Sequence, residues 1–297
     1  MNIQKWLREN TSSLVGKTVA VTGTTGGLGR ELCRNLAGLG ASLILLDRNR
    51  ERSEAFRTEL MRDFPGASVR CFPVELEDIE SVREVTERLR REPLDVLIHN
   101  AGAYSIPRHT CTTGLDNVFQ INFVSPYYMT RELLPLLRER GGRVVAVGSI
   151  AHTYSKSDAR DVDFSGRRQA SKVYGNSKRY LMFALSELFR EEKQAHVSIV
   201  HPGISFTNIT AHYPKPIFAV IKRPMKVIFM KPKKACLSIL SGVFDSCAPC
   251  EWIGPAVFNV WGFPKKKKLT TCGREERLQI AARAERIYRE LSETQHK

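Results

Sequence analysis

The sequence predicts an α/β fold, a doubly wound parallel sheet with helices on both faces, in a single domain. Two observations lead there. Short, predominantly apolar runs recur from Lys17 to about Pro202, and stretches of helical periodicity separate them. Strands that are apolar on both sides belong to a sheet covered on both faces, and intervening helices make neighbouring strands parallel.

The elements follow in order. Val19–Val21 is an apolar run ending in a glycine-rich turn, and the Leu28–Leu39 helix after it stops at Gly40. Leu43–Leu46 is a second strand that ends in charge at Asp47. Val69–Val74, Val96–Ile98, Val144–Val147 and Val197–Val200 complete a set of six. Between them lie amphipathic stretches at Glu51–Asp63, Ile79–Arg91, Asp116–Arg138 and Ser171–Glu192. After Gly203 the alternation breaks. Apolar patches at Ile217–Ile221 and Val227–Met230 alternate with lysines and four prolines between Thr207 and Lys234. Residues 1–15 read as an N-terminal extension, 16–206 as the core of the domain, 207–270 as a helical lid region, and 271–297 as a C-terminal helix.

Composition narrows the function classes. The chain has 297 residues and a formal charge of +15, but no arginine-rich arm, zinc finger or aromatic–basic single-strand motif. Nucleic acid is therefore not the expected main partner. The seven cysteines are scattered, which does not read as a disulfide framework and favours a reducing compartment. Cys247 and Cys250 form a lone Cys-Ala-Pro-Cys without a second ligand pair, so no metal site is expected. Met1–Asn10 lacks the apolar core of a signal peptide, and no run approaches the roughly 18 apolar residues of a membrane span. The expected location is cytoplasmic, with peripheral membrane contact through the basic 215–234 segment as the alternative.

Thr22-Gly23-Thr24-Thr25-Gly26-Gly27-Leu28-Gly29 joins the first strand to the first helix. Glycines let the backbone turn sharply and approach a pyrophosphate, while the helix start offers free N–H donors. With a strand before it and a helix after it, this loop predicts dinucleotide binding in a Rossmann-like sheet. The end of the second strand selects the cofactor. Asp47 suits ribose hydroxyls and repels a 2′-phosphate, whereas Arg48 welcomes that phosphate. NAD(H) is favoured on Asp47 and NADP(H) is the alternative through Arg48.

Tyr174 and Lys178 lie four residues apart in a helical stretch, hence on one face. A free tyrosine titrates near ~10, and a neighbouring ammonium lowers that value, so the pair is a candidate acid–base unit. Together with the glycine loop, His99-Asn100-Ala101-Gly102, Asn122, Ser149 and Pro202-Gly203 with Thr207, the sequence resembles the short-chain dehydrogenase/reductase family from about Gly16 to Thr207. The resemblance implies that Tyr174 moves a proton to or from the substrate oxygen and that Ser149 hydrogen-bonds the same oxygen. It implies that Lys178 holds the nicotinamide ribose, that Asn122 supports a water, and that Asn100, Ala101 and Gly102 line the adenosine side. Pro202, Gly203 and Thr207 should then contact the nicotinamide. The sequence departs from the family's pattern at His99, read as a buried structural histidine, and at Glu75, which stands where an aspartate is usual.

Ala151-His152, Asp161–Phe164 and His201-Pro202-Gly203 point within the family to its retinol-dehydrogenase-like branch. That branch implies an apolar alcohol or carbonyl substrate, steroid-, retinoid- or lipid-like. Pairing through Asp116–Arg138 and Ser171–Glu192 implies a homodimer or homotetramer. The competing reading is a cofactor-binding sensor or membrane-surface scaffold without turnover.

Overall fold

A computed structural model describes residues 2–203 and 230–293. Among them, strands β1 (Thr18–Thr22), β2 (Ser42–Asp47), β3 (Val69–Pro73), β4 (Leu94–His99), β5 (Arg143–Val147), β6 (His196–Val200), β7 (Glu251–Val257) and β8 (Trp261–Lys268) form one sheet. Its order is β3-β2-β1-β4-β5-β6-β7-β8, parallel throughout except for the β7–β8 hairpin. The order reverses direction beside β1, which opens a crevice at the carboxyl ends of β1 and β4.

Successive strand residues feed opposite faces, as a two-residue period requires. Ala20, Ile44, Leu46, Leu97, Val144 and Ala146 enter one apolar core, whereas Val19, Val21, Leu43, Leu45, Val96 and Val145 enter the other. Helices α1 (Ile3–Asn10), α2 (Gly27–Gly38), α3 (Arg50–Asp63) and α8 (Pro232–Phe244) cover the second core. Helices α4 (Ile79–Arg90), α6 (Ser125–Glu139), α7 (Ala170–Leu188) and α9 (Arg274–Glu293) cover the first. Leu32 and Leu36 of α2, one turn apart, are both fully buried, and Gly40 at φ +90 turns the chain back into β2.

The structure refines three of the expected elements. The Asp116–Arg138 helix is in three pieces: a short α5 (Asn117–Phe119), a π segment (Gln120–Val124) and α6. Pro126 lacks the N–H that would bond the Asn122 carbonyl four residues back, and Ser125 N–H instead bonds Gln120 five residues back. Within the expected lid region, residues 251–268 extend the sheet. The Lys265–Lys268 run hides β8 from a hydropathy reading, yet lysines suit an edge strand open to water. Residues 232–244 of that region form α8 on the second core, and residues 207–229, Thr207 among them, lie outside the described residues. The third refinement concerns the pairing face. α6 and α7 are covered by α9 of the same chain, through fully buried Ile280 and Ala284, a Tyr128–Tyr288 ring contact and an Arg131–Glu285 ion pair of 3.0 Å.

Candidate active site

β1 delivers the glycine loop to the crevice. Gly23 has φ +70, and a Cβ there would fall 2.9 Å from Ala101 Cα. At Gly29 a Cβ would sit 2.2 Å from the Gly23 carbonyl, so this glycine lets helix and turn close on each other. Gly26 and Gly27 differ. Gly26 has φ −81, Gly27 has no positive φ, and at both the nearest protein atom would be in ordinary contact, 3.7 and 3.8 Å away. Among the described residues nothing accounts for glycine at these two positions. A ligand backed against them does. The first turn of α2 also has no side-chain cap, so its N–H groups, around Leu28, face that space. The residues present therefore fit a dinucleotide pyrophosphate. Asn100 secures the loop from β4: its Nδ2 donates to the Thr22 and Gly23 carbonyls at 2.9 and 3.0 Å, and its N–H, like that of Ala101, donates to Thr22 Oγ1 at 3.0 Å.

Asp47 behaves differently from the expectation. Its buried carboxylate accepts from Thr24 Oγ1, from Thr25 N at 3.1 Å and Oγ1 at 3.3 Å, and from Ser53 Oγ at 3.1 Å. A carboxylate offers about four acceptor sites, and the loop and α3 take them all. Asp47 thus braces the glycine loop. Arg48 is 74% exposed, with Nε 3.6 Å from Glu75, and it lines the same cleft as Asn49, Arg52 and Thr25. Burial raises the Glu75 carboxyl above its ordinary value, with Arg48 working the other way. Arg52 escaped the sequence reading. Its signal was a second arginine four residues after Arg48, in the first turn of a helix.

The catalytic candidates converge where β4, β5 and α7 meet. Ser149 follows β5, caps the 3-10 turn at Ile150–Thr153 and hydrogen-bonds Tyr174. Burial pushes the Tyr174 phenol up to about 12, the Ser149 contact pulls it down, and Tyr104 and Tyr154 push it up. Lys178 Nζ donates to the Val147 carbonyl at 2.9 Å and stands 5.9 Å from the Tyr174 ring centre. Burial lowers its ammonium to about 8. The lysine was expected to lower the tyrosine; in the fold burial raises the phenol, and the group that lowers it is Ser149 rather than Lys178. A Cβ on Gly102 would lie 3.0 Å from Asn122 Oδ1 and 3.3 Å from Lys178 Nζ, tight contacts that would press on both side chains. The Asn122 side chain accepts from Ala103 N at 3.0 Å and donates to Ala103 O at 2.8 Å, holding the loop after β4.

His99 is fully buried, bonded to Thr130 Oγ1 at 2.8 Å, and held down to about 3 by burial and then by the Lys178 charge. It is a neutral core histidine. Pro202 and Gly203 are buried beyond β6, with Gly203 at φ +81. Tyr104, whose ring meets Tyr174 edge-on at 5.2 Å, was not legible from any spacing rule. His152 also carries more than its sequence suggested. Its Nδ1 lies 2.5 Å from the Ser149 carbonyl and its Nε2 2.7 Å from Thr271 Oγ1, which ties the serine turn to the segment before α9.

Residues 17–216 match the family model for short chain dehydrogenase. Short-chain dehydrogenase TIC 32 A, chloroplastic, of Brassica napus is 31% identical over 210 residues, covering 66% of each chain. Retinol dehydrogenase 12 of Mus musculus is 32% identical over 200 residues, covering 66% of this chain and 63% of that one. The chain thus matches just under two thirds of the length of these relatives. An uncharacterized protein of Mycobacterium paratuberculosis shares the fold at a TM-score of 0.73 and 25% identity, over 96% of each chain. The matched stretch carries the braced glycine loop, the broken helix at Asn122 and the Ser149–Tyr174–Lys178 cluster alike, and on that footing the chain belongs to the short-chain dehydrogenase family, in its retinol-dehydrogenase-like branch.

Proposed function

We propose that this chain is a nicotinamide-dependent oxidoreductase interconverting an apolar alcohol and its ketone or aldehyde, with Tyr174 as the acid–base group. The observation that carries this is the neutral Tyr174 phenol, hydrogen-bonded to Ser149 and one helical turn from buried Lys178. The nicotinamide supplies a hydride in reduction and accepts one in oxidation. Ser149 and Tyr174 together hold the substrate oxygen. A phenol held near 12 keeps its proton at neutral pH, so it donates to the oxygen as the carbonyl is reduced. The lysine ammonium, buried beside Gly102, keeps a positive charge near the tyrosine and would hold the ribose hydroxyls of a bound cofactor. Asn122 fixes the loop at Ala103, and its carbonyl, without an α-helical partner at Pro126, is the acceptor for a relay water.

The apolar substrate class is supported by the buried cluster of Val118, Phe164 and Val173, against which Ile106 and Tyr174 pack, and by the retinol dehydrogenase likeness. For the cofactor, saturation of Asp47 removes the ground for preferring NAD(H). We read NADP(H), its 2′-phosphate met by Arg48 and Arg52. With α9 over α6 and α7, the assembly we infer is a monomer rather than the expected dimer or tetramer. The test of the catalytic reading is Tyr174→Phe. It should cut turnover at least about a hundredfold across active carbonyls while leaving cofactor binding within threefold. Unchanged turnover would sink the assignment.

A further inference from the structure

The β7–β8 hairpin turns through Phe258 and Asn259, both with positive φ (49° and 57°), closed by Val260 N–H on the Val257 carbonyl at 2.9 Å. Such a turn favours Asn, Asp or Gly. A phenylalanine there is strained, and it is not repaid by burial: Phe258 is 84% exposed. Its neighbours Val257 and Trp261, paired across the strands, are 47% and 41% exposed. An apolar tip is thus held out from the molecule in a conformation its own sequence disfavours.

The tip has a definite place and a definite charge. β7 runs parallel to β6, so Val257 and Phe258 stand at the sheet's carboxyl edge. His201 Nε2 lies 3.1 Å from the Asn259 carbonyl, and a Cβ on Gly203 would meet the Val260 carbonyl at 2.8 Å. The tip therefore packs on the residues that directly follow β6, His201 to Gly203. Lys234 Nζ sits 4.8 Å over the Phe263 ring, which brings the start of α8 against β8. Residues 230–268 hold seven lysines against Asp245 and Glu251. Lys231, Lys233, Lys265 and Lys268 are exposed, and Lys266 has an ion pair with Asp245.

We propose that this hairpin docks the protein on an anionic lipid bilayer, with Phe258, Val257 and Trp261 entering the interface and the flanking lysines meeting the headgroups. Aromatic side chains favour the interface, and each nearby lysine adds attraction to an anionic surface. The apolar tip favours a surface with a hydrocarbon layer over a bare polyanion. A second copy pairing along β8 is opposed by the lysine run itself. Docking in this sense sets the crevice with Ser149 and Tyr174 towards the membrane, so that an apolar alcohol or carbonyl enters from the lipid. The surface goes beyond the catalytic reading and stands without it, because binding is read without turnover.

The experiment is flotation of the full chain with phosphatidylcholine vesicles containing about a quarter phosphatidylserine, beside vesicles of phosphatidylcholine alone. The full chain should float with the anionic vesicles and lose that binding as salt rises from 0.1 to 0.5 M. Phe258→Ser with Trp261→Ser should bind at least about tenfold more weakly, while Phe258→Leu stays close to the parent. Circular dichroism melting of each variant within about 2 °C of the parent shows that the fold is kept. Equal flotation with neutral vesicles, undiminished binding by the double variant, or displacement from vesicles by a single-stranded oligonucleotide would overturn the proposal.

Discussion

Lys178 shows how a single residue sets function against stability. Its ammonium is buried, with the Val147 carbonyl as its hydrogen-bond acceptor, and burial lowers it from 10.5 to about 8. A depression of that size corresponds to roughly 3 kcal/mol of desolvation at neutral pH. Methionine fills a similar volume without charge, at the loss of one donor to Val147 worth about 1 kcal/mol. Lys178→Met should therefore be inactive yet more stable than the parent by roughly 1–2 kcal/mol at pH 7, read from urea midpoints. The sign of the pH dependence is fixed. Between pH 8 and 10.5 the unfolded chain binds more protons than the folded one, so the parent gains stability as pH rises and the gap to the variant closes. A variant less stable than the parent at pH 7 would mean that the ammonium is compensated by more than Val147.

At the scale of elements, α9 decides how α7 and the serine turn are held. Arg179, adjacent to Lys178, is fully buried and donates to both Glu276 oxygens at 2.8 and 2.6 Å, to the His152 carbonyl at 3.0 Å and to the Thr271 carbonyl at 2.9 Å. Burial works to raise the Glu276 carboxyl, but the Arg179 contact and the Ser157 amide and hydroxyl hold it down to about 2. Its stabilisation is complete above about pH 4.5 and is lost as pH falls towards 2. Removing the carboxylate leaves a buried guanidinium uncompensated, so Glu276→Ala should cost about 3 kcal/mol at pH 7 and flatten the acid slope of unfolding. The parent should sediment as one 33.6 kDa chain, and the variant, with α9 loosened, should begin to self-associate. A dimeric parent would contradict the covered face. The sequence made the six parallel strands and the glycine loop legible because apolar runs and glycines report local geometry directly. It concealed β8 behind four lysines, because an edge strand need not be apolar. It concealed the π segment because one missing amide at Pro126 leaves hydropathy unchanged. Tyr104 and His152 owe their places to packing between distant elements, which no local spacing records.

Across the whole molecule, the loops after β1, β2, β3 and β4 meet at one sheet edge, so a dinucleotide bound there would tie together segments from both cores. A ligand that binds only the folded state stabilises it by about 2.7 kcal/mol at a hundred times its dissociation constant, several degrees of melting temperature for a chain of this size. The charge at the β2 end decides which dinucleotide does so. Asp47 has given its oxygens to Thr24, Thr25 and Ser53, so it has little left for a ribose hydroxyl, whereas Arg48 and Arg52 can meet a 2′-phosphate. Each charge-assisted hydrogen bond lost is worth about 1.5–3 kcal/mol, roughly ten- to a hundredfold in affinity. NADPH should therefore raise the melting temperature more than NADH at equal concentration. Arg48→Ala with Arg52→Ala should bring the NADPH shift down to the NADH shift without lowering the latter. Differential scanning fluorimetry reads this without any substrate, so it bears on the cofactor whatever the alcohol proves to be. A larger shift with NADH would return Asp47 to the ribose and make its bracing of the glycine loop secondary.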